Sequence, residues 1–212
     1  MTRYEDFLPE VLPYVQECPE IVAINAIRNA VIEFCDKSLW LLYEHDPIPL
    51  IAYQGVYELD LPDDTMSARI LDAWINNLPM APRGEDDLKR IYPFSWREME
   101  GRPQFYTQID PGEVYFVPKP IVSQPDAVKL IVALKPTRNS VGCDDSIYER
   151  WAEKIGYGAR SRINEIPGQT FTDPALAVAN RAKFNVAIGE AKVERNRGLT
   201  RTDQRIRPPR LV

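Results

Sequence analysis

Hydrophobic positions recur three and four apart near both ends of the chain and two apart in the middle. After Pro19, Ile24, Ile27, Val31, Phe34, Cys35 and Leu42 lie on one helical face, with Asn25, Asn29, Glu33 and Asp36 opposite. Proline followed by Glu20 suits a helix start. The pattern predicts a helix over 20–43, ending before Asp46-Pro47. A second helix is predicted over 146–165, capped by Asp144 or Asp145, with Ile147, Trp151, Ile155, Ala159 and Ile163 inward. Gly156 and Gly158 inside it cost about 1 kcal/mol each relative to alanine, so close packing against another backbone is expected there. A third is predicted over 175–197. Thr172 or Asp173 caps it, Pro174 occupies the first turn and Gly198 stops it. Its rows Leu176, Ala179, Ala182, Val186 and Ala175, Val178, Ala182 form an alanine-rich stripe, read as the face that packs. Residues 4–15 contain Pro9 and Pro13 and predict only short helical turns.

Between Pro47 and Pro136 the period is two. Segments 50–53 and 56–61 flank Gln54-Gly55, which predicts a hairpin. Residues 68–75 have strand length. Residues 85–92 predict a short helix with Leu88 and Ile91 inward. Ser95-Trp96-Arg97-Glu98 has capping-box spacing and predicts a further helical turn. Segments 105–109 and 113–117 flank Asp110-Pro111-Gly112, where proline then glycine fits a type II turn. In 127–135, Val128, Leu130, Val132 and Leu134 alternate. About six antiparallel strands are expected. The fold class predicted is α+β: a helical bundle from 1–46 and 137–198, an antiparallel β-rich insertion at 47–136, and a basic extended C-terminal arm at 199–212.

Composition changes this picture little, and charge changes it more. With 212 residues, 44% hydrophobic and 27% charged, the chain is ordinary for a soluble globular protein. Its net charge is −5. The segment from Lys192 to Val212 holds seven Lys/Arg and two Asp/Glu, a local +5 that leaves −10 for the rest. Arg201, Arg205, Arg207 and Arg210 stand against one acid, Asp203, and Pro208-Pro209 forbids a terminal helix. Basic tails on acidic bodies serve partners or are simply solvated. The polar opening, residues 1–6, predicts no signal peptide, and no run approaches the roughly 20 apolar residues of a membrane helix. Cys18, Cys35 and Cys143 are odd in number and far apart, and are read as reduced, small apolar residues in a reducing compartment.

Candidate chemistry is sparse. His45 is the single histidine and reads as a residue at a helix end. The cysteines lack ligand spacing. Gly156-Tyr157-Gly158 sits in a helical pattern, not after a strand, so it is no phosphate loop. Asp63-Asp64, Asp86-Asp87 and Asp144-Asp145 read as caps and solvated turns. Trp40, Trp74, Trp96 and Trp151 read as core. No catalytic, cofactor or metal residues are predicted, and no cofactor.

Four places carry a family resemblance. They are Asn25-Ala26-Ile27-Arg28-Asn29-Ala30 with Glu33-Phe34-Cys35; Tyr57-Glu58-Leu59-Asp60-Leu61-Pro62; Gly112-Glu113-Val114-Tyr115-Phe116-Val117-Pro118; and an ending with Asp173-Pro174, Ala182-Lys183-Phe184, Ala191-Lys192 and Asn196-Arg197-Gly198 before the arginine- and proline-containing tail. Together they span nearly the whole chain, which resembles the head-to-tail adaptor (connector) proteins of tailed phages, of the kind found in short-tailed virions. The resemblance implies a structural virion protein, not an enzyme. It implies a homo-oligomeric ring, a dodecamer, between the portal protein and a tail nozzle or tail-tube protein. DNA would pass through the lumen during ejection without specific binding. It also implies residence at the virion head-to-tail interface, with host cytoplasm as the place of assembly, and no membrane. The portal-gripping arm would comprise Arg197, Arg201, Arg205, Ile206, Arg207, Arg210 and Leu211. The alternative is a nucleic-acid-binding protein using the same basic tail on phosphates.

Overall fold

The computed structural model describes residues 1–198. Strand β1 (Thr2–Arg3) precedes two 3₁₀ turns, Tyr4–Glu10 and Leu12–Tyr14. Helix α1 spans Glu20–Ser38. Then come β2 (Leu41–Leu50), β3 (Val56–Glu58), β4 (Thr65–Ile75), β5 (Leu78–Pro79), β6 (Ala81–Pro82) and helix α2 (Glu85–Ile91). They are followed by β7 (Glu100–Gly101), β8 (Phe105–Thr107), β9 (Glu113–Val117), β10 (Lys119–Pro120), β11 (Gln124–Pro136) and β12 (Gly142–Cys143). Helices α3 (Asp145–Asn164) and α4 (Pro174–Arg197) close the described chain. The fold is α+β.

The helices share one core. Ile27, Val31 and Phe34 of α1 meet Ile147, Trp151 and Ile155 of α3, and Phe184 and Ile188 of α4 complete it. Each such side chain contributes about 1.5–3 kcal/mol by burial. Trp151 packs its ring 5.3 Å from both Phe34 and Trp40. The two glycines of α3 are explained by contact. A Cβ on Gly156 would lie 2.9 Å from the Glu10 carbonyl oxygen, and one on Gly158 would lie 2.8 Å from the Phe184 ring.

Two four-stranded sheets share a second core. One has the order β2-β11-β4-β5 and is antiparallel. The other has the order β3-β9-β8-β6, in which only β6 runs parallel to its neighbour. Val128, Leu130, Val132 and Leu134 of β11 point inward, as their alternation predicts, and meet Tyr106, Val114 and Phe116 from the other sheet. Lys135 at the end of β11 reaches Asp36 of α1 at 2.6 Å and ties the sheet to the helices.

Several expectations are corrected. Helix α1 stops at Ser38 and not near Tyr43, because Leu39 turns left-handed (φ 55°) while its N–H still bonds the Cys35 carbonyl. Leu41 and Leu42 then pair with Leu134 and Ala133, so β2 begins at Leu41 and His45 lies inside a strand. Gln54-Gly55 closes no hairpin. β3 pairs with β9, and Tyr53, also left-handed at φ 68°, donates its N–H to Pro120. Residues 95–98 form a single turn, closed by the Glu98 N–H to the Ser95 carbonyl at 3.2 Å, in place of the helical turn expected there. The β8–β9 hairpin forms as predicted, closed by Glu113 N–H to Asp110. Gly112 is not left-handed, however, so the turn is not type II. In α2, Leu88 is buried but Ile91 is exposed.

Candidate assembly surfaces

Helix α4 starts as its sequence dictates. The Asp173 carboxylate accepts the Leu176 N–H at 2.9 Å, and Pro174 fills the first turn. Lys154 pairs with Glu190 and Arg150 with Glu194, so α3 and α4 run antiparallel. The buried positions of α4 are Ala177, Phe184, Ala187, Ile188 and Ala191. The alanine-rich stripe expected to pack is therefore on the other side. Ala175, Ala179, Ala182, Val186, Gly189 and Val193 alternate steps of four and three and are all exposed, Val186 at 61%. Leu176 and Val178 widen this apolar face, and both are exposed too. Such spacing is the seam of a helix–helix contact.

A second apolar surface sits at the far end of the long sheet. β11 spans thirteen residues, roughly 40 Å. Its Leu134 end abuts the helices, and its Gln124 end pairs with Leu50. Around that distal end Ile51, Tyr53, Leu78, Ile121 and Val122 are exposed. Ile121 and Val122 line an open cavity of about 370 Å³ together with Leu50, Ile75, Pro103 and Pro120. Phe94, in the loop after α2, is fully exposed.

Glu33 holds the three helices together. Its carboxylate accepts Arg181 Nη1 at 2.9 Å and further bonds from Lys37 and Arg162. Burial would raise its pKa, but the hydrogen bonds from Arg181, Lys37 and Arg162 outweigh this and hold it well below the usual carboxylate range. In sequence Glu33 reads only as part of a polar face.

The candidate reactive groups are all structural. His45 is nearly buried. Its Nδ1 donates to the Asp46 carbonyl at 2.6 Å, and Nε2 accepts the Asp60 N–H at 2.9 Å. Both ring nitrogens are thus engaged by backbone. The three thiols are buried, and burial pushes Cys143 up to about 12 and Cys35 higher, away from the nucleophilic thiolate. Among the described residues no group of His, Cys, Asp or Glu is placed to hold a metal ion, and no helix is long and apolar enough to cross a membrane. Of the predicted arm residues, Arg197 is the exposed last residue of α4. Arg201, Arg205, Ile206, Arg207, Arg210 and Leu211 lie outside the described residues.

A family model described as SU10 adaptor protein matches residues 2–209. The chain belongs to the SU10 adaptor family. No curated protein matches it. Membership in this adaptor family makes it a phage head-to-tail adaptor, a structural component. It implies a virion location and portal and tail proteins as neighbours. The α4 stripe is legible in the sequence but its outward direction is not, because an apolar row looks the same whether it packs on its own fold or on a partner.

Proposed function

We propose that this adaptor forms a ring between portal and tail, dodecameric as in the short-tailed virions it resembles, through which DNA passes. The helical part and the β-rich part then have separate duties. The outer face of α4 meets the next copy, the distal end of the sheet meets the tail protein, and the arm at 199–212 with Arg197 grips the portal. One observation carries this reading: apolar surface remains outside at two places, the α4 face and the loops at the distal end of the long sheet. Exposed apolar patches of this kind mark interaction sites. A ring needs a heterologous contact, in which the α4 face of one copy meets a different surface of the next. The acidic body repels phosphates, which suits a conduit in which DNA must slide. The reading includes no catalysis, and assembly in host cytoplasm.

Electron microscopy of the purified chain mixed with its own portal tests this. A ring of adaptor density under the portal is the expected result, and portals left bare at saturating adaptor would refute it. The alternative, nucleic-acid binding through the arm, has its support in the four arginines. It requires DNA affinity that falls steeply with salt.

A further inference from the structure

Helix α3 carries four cations, and three of them are matched. Arg150 pairs with Glu194, Lys154 with Glu190 and Arg162 with Glu33. Arg160 is the fourth. It is only 5% exposed, yet no carboxylate among the described residues comes within ion-pair distance of it. Its guanidinium carbon lies 4.0 Å from the Tyr14 ring centre and 4.5 Å from the Tyr157 ring centre. Its Nε donates to the Gly156 carbonyl at 3.2 Å. Nη1 and Nη2 have no acceptor among the described residues, and neither is sealed off from the surface.

A buried cation loses hydration and needs a partner. The two phenol rings return part of that through their faces. They do not use the in-plane N–H groups, and that edge is the one that meets a carboxylate with two parallel bonds. The ring contacts and the Nε bond already hold the side chain, so little rotamer freedom is left to lose on binding. A second cation stands close by. Lys183 Nζ lies 5.0 Å from the Tyr157 ring, and Lys183 is exposed with no ion pair among the described residues. Tyr157 and Lys183 also line a groove of about 330 Å³ with Ala182 and Val186. The arginine and its two rings therefore adjoin the outer face of α4.

We propose that the open edge of Arg160 receives a carboxylate of the next copy when adaptors assemble side by side. The contact rests on the ring reading and supplies the polar anchor that an apolar stripe lacks. Two observations favour a second copy as the partner. The groove that holds Tyr157 and Lys183 runs into the α4 face at Ala182 and Val186. The patch is also positive, while the chain outside 192–212 carries −10, so every neighbouring copy offers carboxylates in excess. Apolar stripes slide past one another at little cost. A bidentate pair has one geometry, so it fixes the register between copies.

The test replaces Tyr14, which is 61% exposed, with the photo-cross-linker p-benzoylphenylalanine in the full chain. An equal mixture of light and isotope-labelled heavy chains is assembled on its own portal and irradiated. The expected product joins a light chain to a heavy one, with position 14 attached to a peptide that contains Asp or Glu. Products found only within one chain, only with the portal, or with a peptide free of acids overturn the proposal. Arg160→Gln is measured in parallel by microscopy, after circular dichroism shows it folded. It is expected to raise the adaptor concentration that half-fills portals by about tenfold or more. Arg160→Lys keeps the charge without the fork and recovers only part of that loss. Half-filling by Arg160→Gln at the wild-type concentration overturns the proposal and leaves the ring reading intact. Portals left bare by the wild-type adaptor overturn both. If Arg160→Gln does not fold, the cross-link in the chain that keeps Arg160 decides alone.

Discussion

His45 and Glu33 show how single polar residues carry this fold. The imidazole of His45 bonds two backbone groups, the Asp46 carbonyl and the Asp60 N–H. His45→Ala leaves both without that partner and is expected to cost about 2 kcal/mol, read as a lower urea midpoint with unchanged slope. Glu33 makes a pH prediction. Its folded pKa is depressed below the ordinary carboxylate value of about 4.5. Its contribution is therefore fully present above about 4.5 and lost as pH falls through the lower folded value. Stability measured from pH 6 downward is expected to fall along an acid limb that Glu33→Gln flattens. The arginines are about a third exposed, so loss of the carboxylate is expected to cost about 2–3 kcal/mol, less than for a fully buried pair. If the variant keeps the wild-type acid limb, other carboxylates set it.

At the scale of elements, two glycines in helices make opposite predictions. Gly156 faces the Glu10 carbonyl, so Gly156→Ala forces backbone apart and is expected to destabilise despite alanine's better helix propensity. Gly189 lies on the outer face of α4 with nothing near its Cβ position. Gly189→Ala is expected to stabilise the free protein by about 0.5–1 kcal/mol. Thermal melting of the two variants side by side checks the pair, and the order of their midpoints decides it. Both glycines lie inside helices, and helix propensity alone favours alanine at each. What separates them is which face of each helix another element covers.

At the scale of the whole molecule, assembly is predicted to depend on surfaces that the isolated fold does not need. Val186→Lys on the outer α4 face is expected to leave the unfolding free energy within about 0.5 kcal/mol of wild type while removing ring density under the portal. Normal rings with the lysine in place would move the inter-copy contact elsewhere. Truncation after Gly198 makes a second prediction. Ordering the arm costs about 1–2 kcal/mol per residue in backbone entropy, which Leu199, Ile206, Leu211 and Val212 cannot return on a monomer. The truncated chain is expected to melt almost as the full one does and to fail to attach to portals. Attachment at the wild-type level would remove the arm from the reading.

The sequence by itself determined what depends on short-range chemistry. Asp173-Pro174 and Gly198 bound α4 because a cap, a missing N–H and a glycine stop act within one turn. Asp144 caps α3 for the same reason, and Asp110-Pro111-Gly112 turns the chain between β8 and β9. The period of two in β11 announced the center of the long sheet, and the glycines of α3 announced close contact. Only the tertiary structure decided the rest. Leu39, Leu41 and Leu42 continue a helical period, yet pairing with β11 takes Leu41 and Leu42 into a strand. β3 chose β9 over its neighbour in sequence. In α4 two alanine-rich faces compete, and Phe184, seated against Gly158 and the α1–α3 core, decides which one turns inward. Hydrophobic burial is non-directional and has no preference between faces of equal composition, so the choice waits for the partner surface that fits.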